Sequence, residues 1–364
     1  MNRITKNIIT NYIRGRLKTV EFAITNACIA KCSFCDIWKQ QPKVFVDREK
    51  ALTVIDRLAD FGVVHITITG GEPLLHPSIV DFVDRAASRN MHNAVLDAAP
   101  QLLMRNNIVK RLEDAGCDMI SISFDSGDPV VMAESRKIPN IMDDMAKALE
   151  LIGKTNITTM ASVLIWNDNY DKLEEVCARA KNMGFDLVSL NYPTFSKSKV
   201  YPLGGEGISL SREKVIHGLE SAIALRKTGK YGIINSPVSM RNIVNFLRDP
   251  TGAAYPCFGG RRVFFVDWFF DVRPCMQLPT VLGNMLTMKV EDLNRPPCND
   301  CNMSWYRDFS AMLHGFKSLP VWLDSVSQTR AIQKRGKRQW YRPTPDTPQA
   351  AGPFHRSQMP PPAP

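Results

Sequence analysis

Strand-like and helix-like segments alternate along the first half of the chain, and this alternation constrains the fold most strongly. The apolar or β-branched segments are residues 20–24, 65–69, 93–97, 119–124, 157–165 and 187–191. Between them lie stretches of about 12 to 16 residues with a 3.6-residue apolar period. Such alternation predicts parallel strands joined by helical crossovers, which is an α/β sheet. Because six units are too few for a closed eight-stranded barrel, we expect a partial (β/α)6 barrel.

Seven of the nine cysteines lie in two groups, which is the second constraint. The 364 residues contain neither a secretory signal nor about 18 uninterrupted apolar residues, so neither a secreted nor an integral membrane protein is expected. We therefore expect a cytoplasmic protein, in which thiols stay reduced and disulfides are improbable. Clustered thiolates in that compartment indicate metal or iron–sulfur sites.

The first cysteine group has the spacing Cys28-x3-Cys32-x2-Cys35 and follows the first predicted strand. Three thiolates can hold three irons of a cubane cluster and leave the fourth iron open to another ligand. Because zinc also takes cysteine ligands, the triad alone is compatible with a zinc site as well.

A second motif, T-G-G-E-P at residues 69–73, ends the second predicted strand. Its glycines allow the backbone to approach a ligand closely, and its carboxylate can accept hydrogen bonds from an ammonium group. Together the two motifs resemble the radical S-adenosylmethionine (radical SAM) superfamily, in which the second motif binds the methionine amino group. The resemblance covers residues 20–230, and residues 257–301 through the second cysteine group.

The resemblance implies roles for individual residues. Cys28, Cys32 and Cys35 would hold the SAM-binding [4Fe–4S] cluster. The implied cofactor-binding residues are Gly70, Gly71, Glu72 and Pro73 in the motif, Ser123 and Asp125 at the ribose, Arg136 at the methionine carboxylate, and Asn167. The sequence LDAAP at residues 96–100 departs from the Asn-Gly of many relatives, so no ligand contact is carried over there. No catalytic acid or base is assigned.

The chemistry implied by the resemblance comes from the cofactor rather than from acids and bases of the protein. In this family the reduced cluster cleaves SAM to methionine and a 5′-deoxyadenosyl radical, which abstracts hydrogen from an unactivated carbon. The resemblance thus implies an oxidoreductase that needs SAM and an external electron donor such as a flavodoxin or ferredoxin.

The second cysteine group, Cys257-x17-Cys275 followed by Cys298-x2-Cys301, resembles the auxiliary-cluster insert called the twitch subdomain. Its spacing is similar to that of 2-deoxy-scyllo-inosamine dehydrogenases. The longer SPASM type has seven cysteines and holds two auxiliary clusters. This chain has no cysteine after Cys301, so we expect one auxiliary [4Fe–4S] cluster and two clusters in total. A structural zinc site with four thiolates is the alternative. A fully ligated cluster can accept an electron from a substrate radical, which favours dehydrogenation, other C–H oxidation or bond formation.

The sequence predicts six regions along the chain. They are an N-terminal amphipathic helix (1–19), the partial barrel (20–230), a connection (231–256), a twitch-like subdomain with a small β-hairpin (257–304), a C-terminal helix and basic segment (305–341) and a disordered Pro-rich tail (342–364). The net charge of +10 is concentrated in residues 1–20 and 325–342. These basic ends are either solvated or bound to an anionic surface, and we expect peripheral contact with the inner membrane surface as one option.

The substrate is the least constrained part of the prediction. We expect a small or amphiphilic molecule, such as an aminocyclitol, a lipid or a tetrapyrrole side chain. One alternative is a maturase of a ribosomally made peptide, although such relatives commonly carry a recognition domain of about 80 to 90 residues before the cysteine triad. A zinc-stabilised scaffold or nucleic-acid binder is an alternative of another class, but the two intact motifs argue against it, and no nucleic-acid partner is expected.

Overall fold

A nine-stranded sheet organises the chain. The computed structural model describes residues 3–194 and 210–324. The strands are β1 (Lys18–Ala23), β2 (Val63–Thr69), β3 (His92–Val95), β4 (Met119–Ser123), β5 (Thr158–Leu164), β6 (Leu187–Asn191), β7 (Val263–Val266), β8 (Asp271–Arg273) and β9 (Gly283–Asn284). Their order in the sheet is β6-β5-β4-β3-β2-β1-β7-β8-β9.

Helices follow most of the parallel strands. They are α1 (Arg3–Ile13), α2 (Arg48–Asp60), α3 (Ile79–Ser88), α4 (Pro100–Leu103), α5 (Ile108–Asp114), α6 (Pro129–Arg136), α7 (Ile141–Gly153), α8 (Leu173–Asn182), α9 (Arg212–Lys227), α10 (Pro237–Arg248) and α11 (Ser304–Ala311). Side-chain caps fix several starts, as at α2, where the Asp47 carboxylate accepts from the Lys50 amide at 3.0 Å.

Strands β1 to β6 are all parallel, and each pairs with its neighbour in chain order. This confirms the predicted open, partial barrel. The outward positions of β1, Val20 and Phe22, are fully buried in one apolar core with Val54 of α2 and Phe82 of α3. The alternating inward positions carry polar residues instead, and they form the walls of the cavity described below.

The predicted C-terminal hairpin is present, since β7 and β8 pair antiparallel. Its first strand also pairs parallel with β1, from Thr19 opposite Val263 to Phe22 opposite Val266. The hairpin therefore continues the barrel sheet. All four residues of β7 are buried, as a strand covered on both faces requires.

The segment 231–256, expected to be a connection, contains the twelve-residue helix α10. The Ser236 side chain accepts from the Val238 amide at 3.2 Å, and Pro237 occupies the first helical position. A proline at the first helical position is compatible with a helix. The prolines and the weak apolar period of this segment had indicated a connection instead, so the sequence did not predict α10.

The predicted helix near the C-terminus is shorter than expected. Helix α11 ends at Ala311, four residues before Gly315 with its φ of +63°, and helical turns resume at residues 319–324. Within residues 3–194 and 210–324, no helix is long and apolar enough to cross a membrane. The basic residues Arg330–Arg342 and the Pro-rich tail 342–364 lie outside the described part of the chain.

Candidate active site

A cavity of about 740 Å³ occupies the interior of the partial barrel. Its wall includes the first cysteine group at the carboxyl end of β1 and the polar inward residues of the strands. Of the residues expected to bind the cofactor, those on the wall are Cys28, Cys32, Cys35, Gly70, Gly71, Glu72, Ser123, Asp125 and Arg136. The structure therefore brings together at one place side chains from β1, β2, β4 and α6.

The loop that carries the three cysteines is attached to the end of α6. The Lys31 amide donates to the Arg136 carbonyl at 3.1 Å, and the Ser33 amide donates to the Ser135 carbonyl at 2.9 Å. Burial raises the pKa of Cys28 to about 12 and that of Cys35 to about 11. In the absence of a metal these thiols stay protonated, so metal binding must displace their protons.

The glycines of the second motif lie directly against the chain that leads into the cysteine loop. The Gly71 amide donates to the Thr25 carbonyl at 2.8 Å, and the Glu72 amide donates to the Ala27 carbonyl at 2.7 Å. A Cβ at Gly71 would lie 2.2 Å from the Ala27 oxygen, so only glycine allows this approach. The two motifs are thereby held in one rigid unit.

Both oxygens of Glu72 accept backbone hydrogen bonds, from the Leu74 amide at 2.9 Å and the Ala99 amide at 2.8 Å. Burial nevertheless raises the pKa of this carboxyl to about 8. Pro73 begins a short 3-10 helix, Pro73–Leu75, and is buried beneath the motif rather than on the cavity wall.

Asp125 and Arg136 form a buried ion pair on the cavity wall. Arg136 donates to Asp125 Oδ2 through Nε at 3.0 Å and also through Nη2, and Leu164 donates its amide to Asp125 Oδ1 at 2.9 Å. The Nη1 of Arg136 lies 3.9 Å from Cys32 Sγ, and its guanidinium lies over the Phe34 ring at 5.2 Å. The two residues expected to contact different parts of the cofactor are therefore partners of each other.

Asn167 is exposed and lies off the cavity wall, whereas Asn169 is 1% exposed. The Asn169 amide group donates to the carbonyls of Asp125 at 2.7 Å and Leu164 at 2.8 Å, and its oxygen accepts from Trp166. Asn169 thus fixes the backbone of the site. Because Asn167 and Asn169 lie two positions apart, the sequence alone could not show which of them belongs to the site.

Asp97 is a wall residue that the sequence analysis did not assign. It lies in the LDAAP segment that departs from the family pattern, and its φ is +53°, a conformation that asparagine and aspartate tolerate. The Ser121 hydroxyl donates to it at 3.2 Å. Burial raises its pKa.

The four cysteines of the second group line one separate, smaller cavity of about 20 Å³. Cys257 and Cys298 exchange two backbone hydrogen bonds, of 2.8 and 2.9 Å, and Cys275 accepts at sulfur from the Gln277 amide at 3.4 Å. A hydrogen bond with Cys257, followed by one with Arg295, lowers the pKa of Cys298 to about 5. Across residues 3–194 and 210–324, no three potential ligands are placed closely enough to hold a single metal ion.

Tyr306 and Glu21 connect the two cavities. Tyr306 is fully buried and lines the smaller cavity, and its hydroxyl donates to Glu21 Oε2 at 2.8 Å. Glu21 lies on β1 and lines the larger cavity. The sequence offered no signal for this pair, because 285 residues separate its members.

A family model described as "Radical SAM superfamily" matches residues 22–186, which contain the cysteine triad, the glycine motif and the Asp125–Arg136 pair. The chain contains a radical SAM domain. Domains of this superfamily use a [4Fe–4S] cluster and S-adenosylmethionine. The match ends before β7, so it does not extend to the second cysteine group.

Relatives of this radical SAM domain include a protein named as a peptide cyclase and one named for bacteriocin biosynthesis. The chain is 23% identical over 163 residues to "PqqA peptide cyclase" of Granulibacter bethesdensis, covering 44% of this chain and 43% of that protein. It is 23% identical over 284 residues to "Antilisterial bacteriocin subtilosin biosynthesis protein AlbA" of Bacillus subtilis, covering 76% and 59%. The chain thus spans about half the length of the curated relatives it matches first.

Among solved structures, the chain is similar in fold to Streptococcus suis SuiB bound to S-adenosylmethionine. The TM-score is 0.60 at 13% sequence identity, and the alignment covers 85% of this chain and 72% of SuiB. The alignment is longer than the family match. At this identity the likeness concerns the fold alone.

Proposed function

We propose that this chain is a radical SAM enzyme that modifies a peptide, with its SAM-binding [4Fe–4S] cluster held by Cys28, Cys32 and Cys35. The observation that carries the proposal is the convergence of this triad, the Gly70–Glu72 backbone and Arg136 on one cavity. When bound, the cluster and SAM supply a 5′-deoxyadenosyl radical that abstracts hydrogen.

The residues present fit these groups. The triad offers soft thiolate ligands on a loop fixed to α6, and Arg136 places one positive charge 3.9 Å from Cys32. The glycine backbone, which has no room for a Cβ, brings main-chain atoms close to a ligand. Glu72, with both oxygens already oriented by amides, is positioned to accept from the methionine ammonium. Ser123 and Asp125 lie on the same wall as ribose-binding candidates.

We further propose that Cys257, Cys275, Cys298 and Cys301 hold one auxiliary [4Fe–4S] cluster. All four side chains surround one small cavity, and amides of Gly259 and Gln277 donate to the sulfurs of Cys257 and Cys275 at 3.3 and 3.4 Å. Such N–H···S bonds stabilise thiolates and tune the potential of a cluster. The zinc alternative uses the same four ligands, and iron, sulfide and zinc content distinguish the two.

The support for a peptide, in place of the expected small or amphiphilic molecule, comes from the relatives named as a peptide cyclase and as a bacteriocin biosynthesis protein. The cavity has room for a side chain of a longer molecule, at about 740 Å³. The electron that reduces the SAM-binding cluster would come from an external flavodoxin or ferredoxin, as in the superfamily.

The test is release of 5′-deoxyadenosine by anaerobically reconstituted protein with SAM and dithionite. We expect release from the wild type and loss of at least 100-fold in the variant with Cys28, Cys32 and Cys35 replaced by Ala. The matched control is Cys177→Ala, a buried cysteine on α8 away from both cavities, which should retain release. Undiminished release from the triple variant would contradict the assignment.

We also propose that the protein docks peripherally on an anionic membrane surface, such as the inner face of the cytoplasmic membrane. Ile13 at the end of α1 is 79% exposed, and Phe316 and Leu323 are 99% and 61% exposed. The Tyr12 and Trp322 rings meet edge to face at 5.7 Å, which places the end of α1 beside the C-terminal helical segment. The neighbouring basic residues Lys6, Arg14, Arg16 and Lys317 add attraction to anionic lipid.

Sedimentation with phosphatidylserine-containing and neutral vesicles tests this docking. We expect pelleting with the anionic vesicles only, weakened by salt, and loss of pelleting in Ile13→Ser/Phe316→Ser. Val130→Ser is the matched control, because Val130 is exposed on α6 instead. Equal recovery in the supernatant with both vesicles would contradict the proposal.

A further inference from the structure

Most of the interior surface of this barrel is apolar, but a group of polar side chains lies on strands β1 to β3. Inward positions carry Thr19 and Glu21 on β1, His65 and Thr67 on β2, and His92 on β3. The interior of closed eight-stranded barrels is ordinarily filled by branched apolar side chains. In this open barrel the polar residues of β1 to β3 border the cavity, called the chamber below, so this part of its wall can hold a polar group.

The chamber has an excess of acidic groups. Five carboxyl side chains line it, against one guanidinium, that of Arg136. The two histidines add no positive charge, because burial lowers the pKa of both. Burial likewise raises the pKa of Glu21 and Glu72 to about 8, so among the described wall residues these carboxyls gain from a cationic ligand that stabilises their ionised form.

Four of the five carboxyls are already engaged by the protein. Glu72 accepts from two amides, Asp125 accepts from Arg136 and Leu164, and Asp308 accepts from Ser239 and from Asn235 at 2.9 Å. Asp97 accepts from Ser121 and is also hydrogen-bonded to Ser162. Glu21 differs, because the only donor found for it in the described residues is Tyr306, and that donor takes Oε2. No ion pair joins Glu21 to another described residue.

Hydroxyl groups flank Glu21 on the same wall. Thr19 lies two positions before it on β1, and Thr67 lies directly opposite it on β2. Thr19 Oγ1 is buried, and within the described structure it has no hydrogen-bond partner. A buried hydroxyl without a partner is costly unless a ligand supplies one.

We infer that Glu21 and Thr19 bind a primary ammonium group of the substrate, such as a lysine side chain, and thereby place the neighbouring carbons inside the barrel. The inference rests on the proposed function and names the class of side chain that enters the chamber. Glu21 is 2% exposed, and burial raises its pKa to about 8, so a bound ammonium would favour its ionised form.

An ammonium group fits this site better than a guanidinium does. Arginine prefers a carboxylate with both oxygens available in a planar fork, and Tyr306 already occupies Oε2 of Glu21. An ammonium is a compact charge with three donors. One donor can reach Oε1 of Glu21, and the hydroxyl of Thr19 accepts another.

The test is calorimetric binding to the anaerobic holoenzyme of two capped probes, acetyl-Gly-Lys-Gly-amide and its norleucine counterpart. We expect the lysine peptide to bind at least tenfold more tightly than the norleucine peptide. Glu21→Gln should remove this preference while keeping the acceptor for Tyr306, and Thr19→Val should reduce it about threefold. Asp308→Asn is the matched control, because both Asp308 oxygens are occupied by the protein, and it should change the preference less than twofold.

The inference would be overturned by equal binding of the two probes, by binding of neither at millimolar concentration, or by an unchanged preference in Glu21→Gln. Equal loss of preference in Asp308→Asn would also overturn it, because the effect would then belong to the general charge of the chamber. SAM cleavage without substrate is measured in the same samples. Cleavage that persists while the lysine preference is absent rejects this site and leaves the proposed function intact.

Discussion

Thr19 and Thr25 lie six residues apart and are both buried, yet their hydroxyl groups have opposite surroundings. Thr25 Oγ1 donates to the Val44 carbonyl at 2.7 Å and accepts from the Ala27 amide at 3.0 Å. Thr19 Oγ1 has no partner in the described structure. Because valine has the same shape as threonine without the hydroxyl, the two replacements should have effects of opposite sign.

We expect Thr19→Val to raise the free energy of unfolding by about 0.5 to 1 kcal/mol, since it removes an unsatisfied buried hydroxyl. Thr25→Val should lower it by about 1 to 3 kcal/mol, since it leaves a carbonyl and an amide without partners. Urea unfolding under anaerobic conditions measures both. A loss of stability in Thr19→Val equal to that in Thr25→Val would show that the Thr19 hydroxyl has a partner.

Glu21 predicts a pH dependence of stability. Its pKa is about 8 in the folded protein and near 4.5 when unfolded, so between these values the unfolded chain loses the proton first. Glu21 therefore destabilises the fold increasingly as pH rises from about 5 to 8. Glu21→Gln should be more stable than the wild type, by a margin that grows by about 3 to 4 kcal/mol over this range. A margin independent of pH would contradict the shifted pKa.

At the scale of elements, the contact between the glycine motif and the start of the cysteine loop holds the site together. Gly71 follows β2, and its amide donates a hydrogen bond to the carbonyl of Thr25, which follows β1. The sequence identified both motifs but not the contact between them, because spacing within a motif says nothing about the distance to another one. Local patterns likewise could not predict which elements β7 and α11 pack against. The pairing of β7 with β1, for example, joins residues more than 240 positions apart.

We expect Gly71→Ala to abolish SAM binding and to lower the free energy of unfolding by about 2 kcal/mol or more. The added Cβ would lie 2.2 Å from the Ala27 carbonyl, so the two loops must separate. Gly252→Ala is the control, because its Cβ would meet the nearest atom at an ordinary 3.4 Å. Equilibrium dialysis with labelled SAM measures binding, and wild-type affinity in Gly71→Ala would refute the required close approach.

At the scale of the whole molecule, the strand–helix alternation was sufficient to predict the partial barrel. The cysteine triad and the T-G-G-E-P motif together predicted SAM and its [4Fe–4S] cluster through the family resemblance. Apolar outward residues such as Phe22 carry the periodic signal of the fold. Residues that contact one partner far away in the sequence leave no periodic signal. Examples are Glu21 with Tyr306 and Asp308 with Asn235. The substrate was the weakest prediction for the same reason, because the chamber is assembled from single residues of many strands.

The central claim is that the two cysteine groups hold two separate [4Fe–4S] clusters, and metal and sulfide analysis tests it most directly. Anaerobic wild-type protein should contain about eight iron atoms and eight sulfides per chain. Replacement of Cys28, Cys32 and Cys35 by Ala should halve both and leave a [4Fe–4S] signal in Mössbauer spectra. Replacement of Cys257, Cys275, Cys298 and Cys301 should also halve both and leave the SAM-responsive cluster. A colourless triad variant that retains one zinc ion would contradict the account.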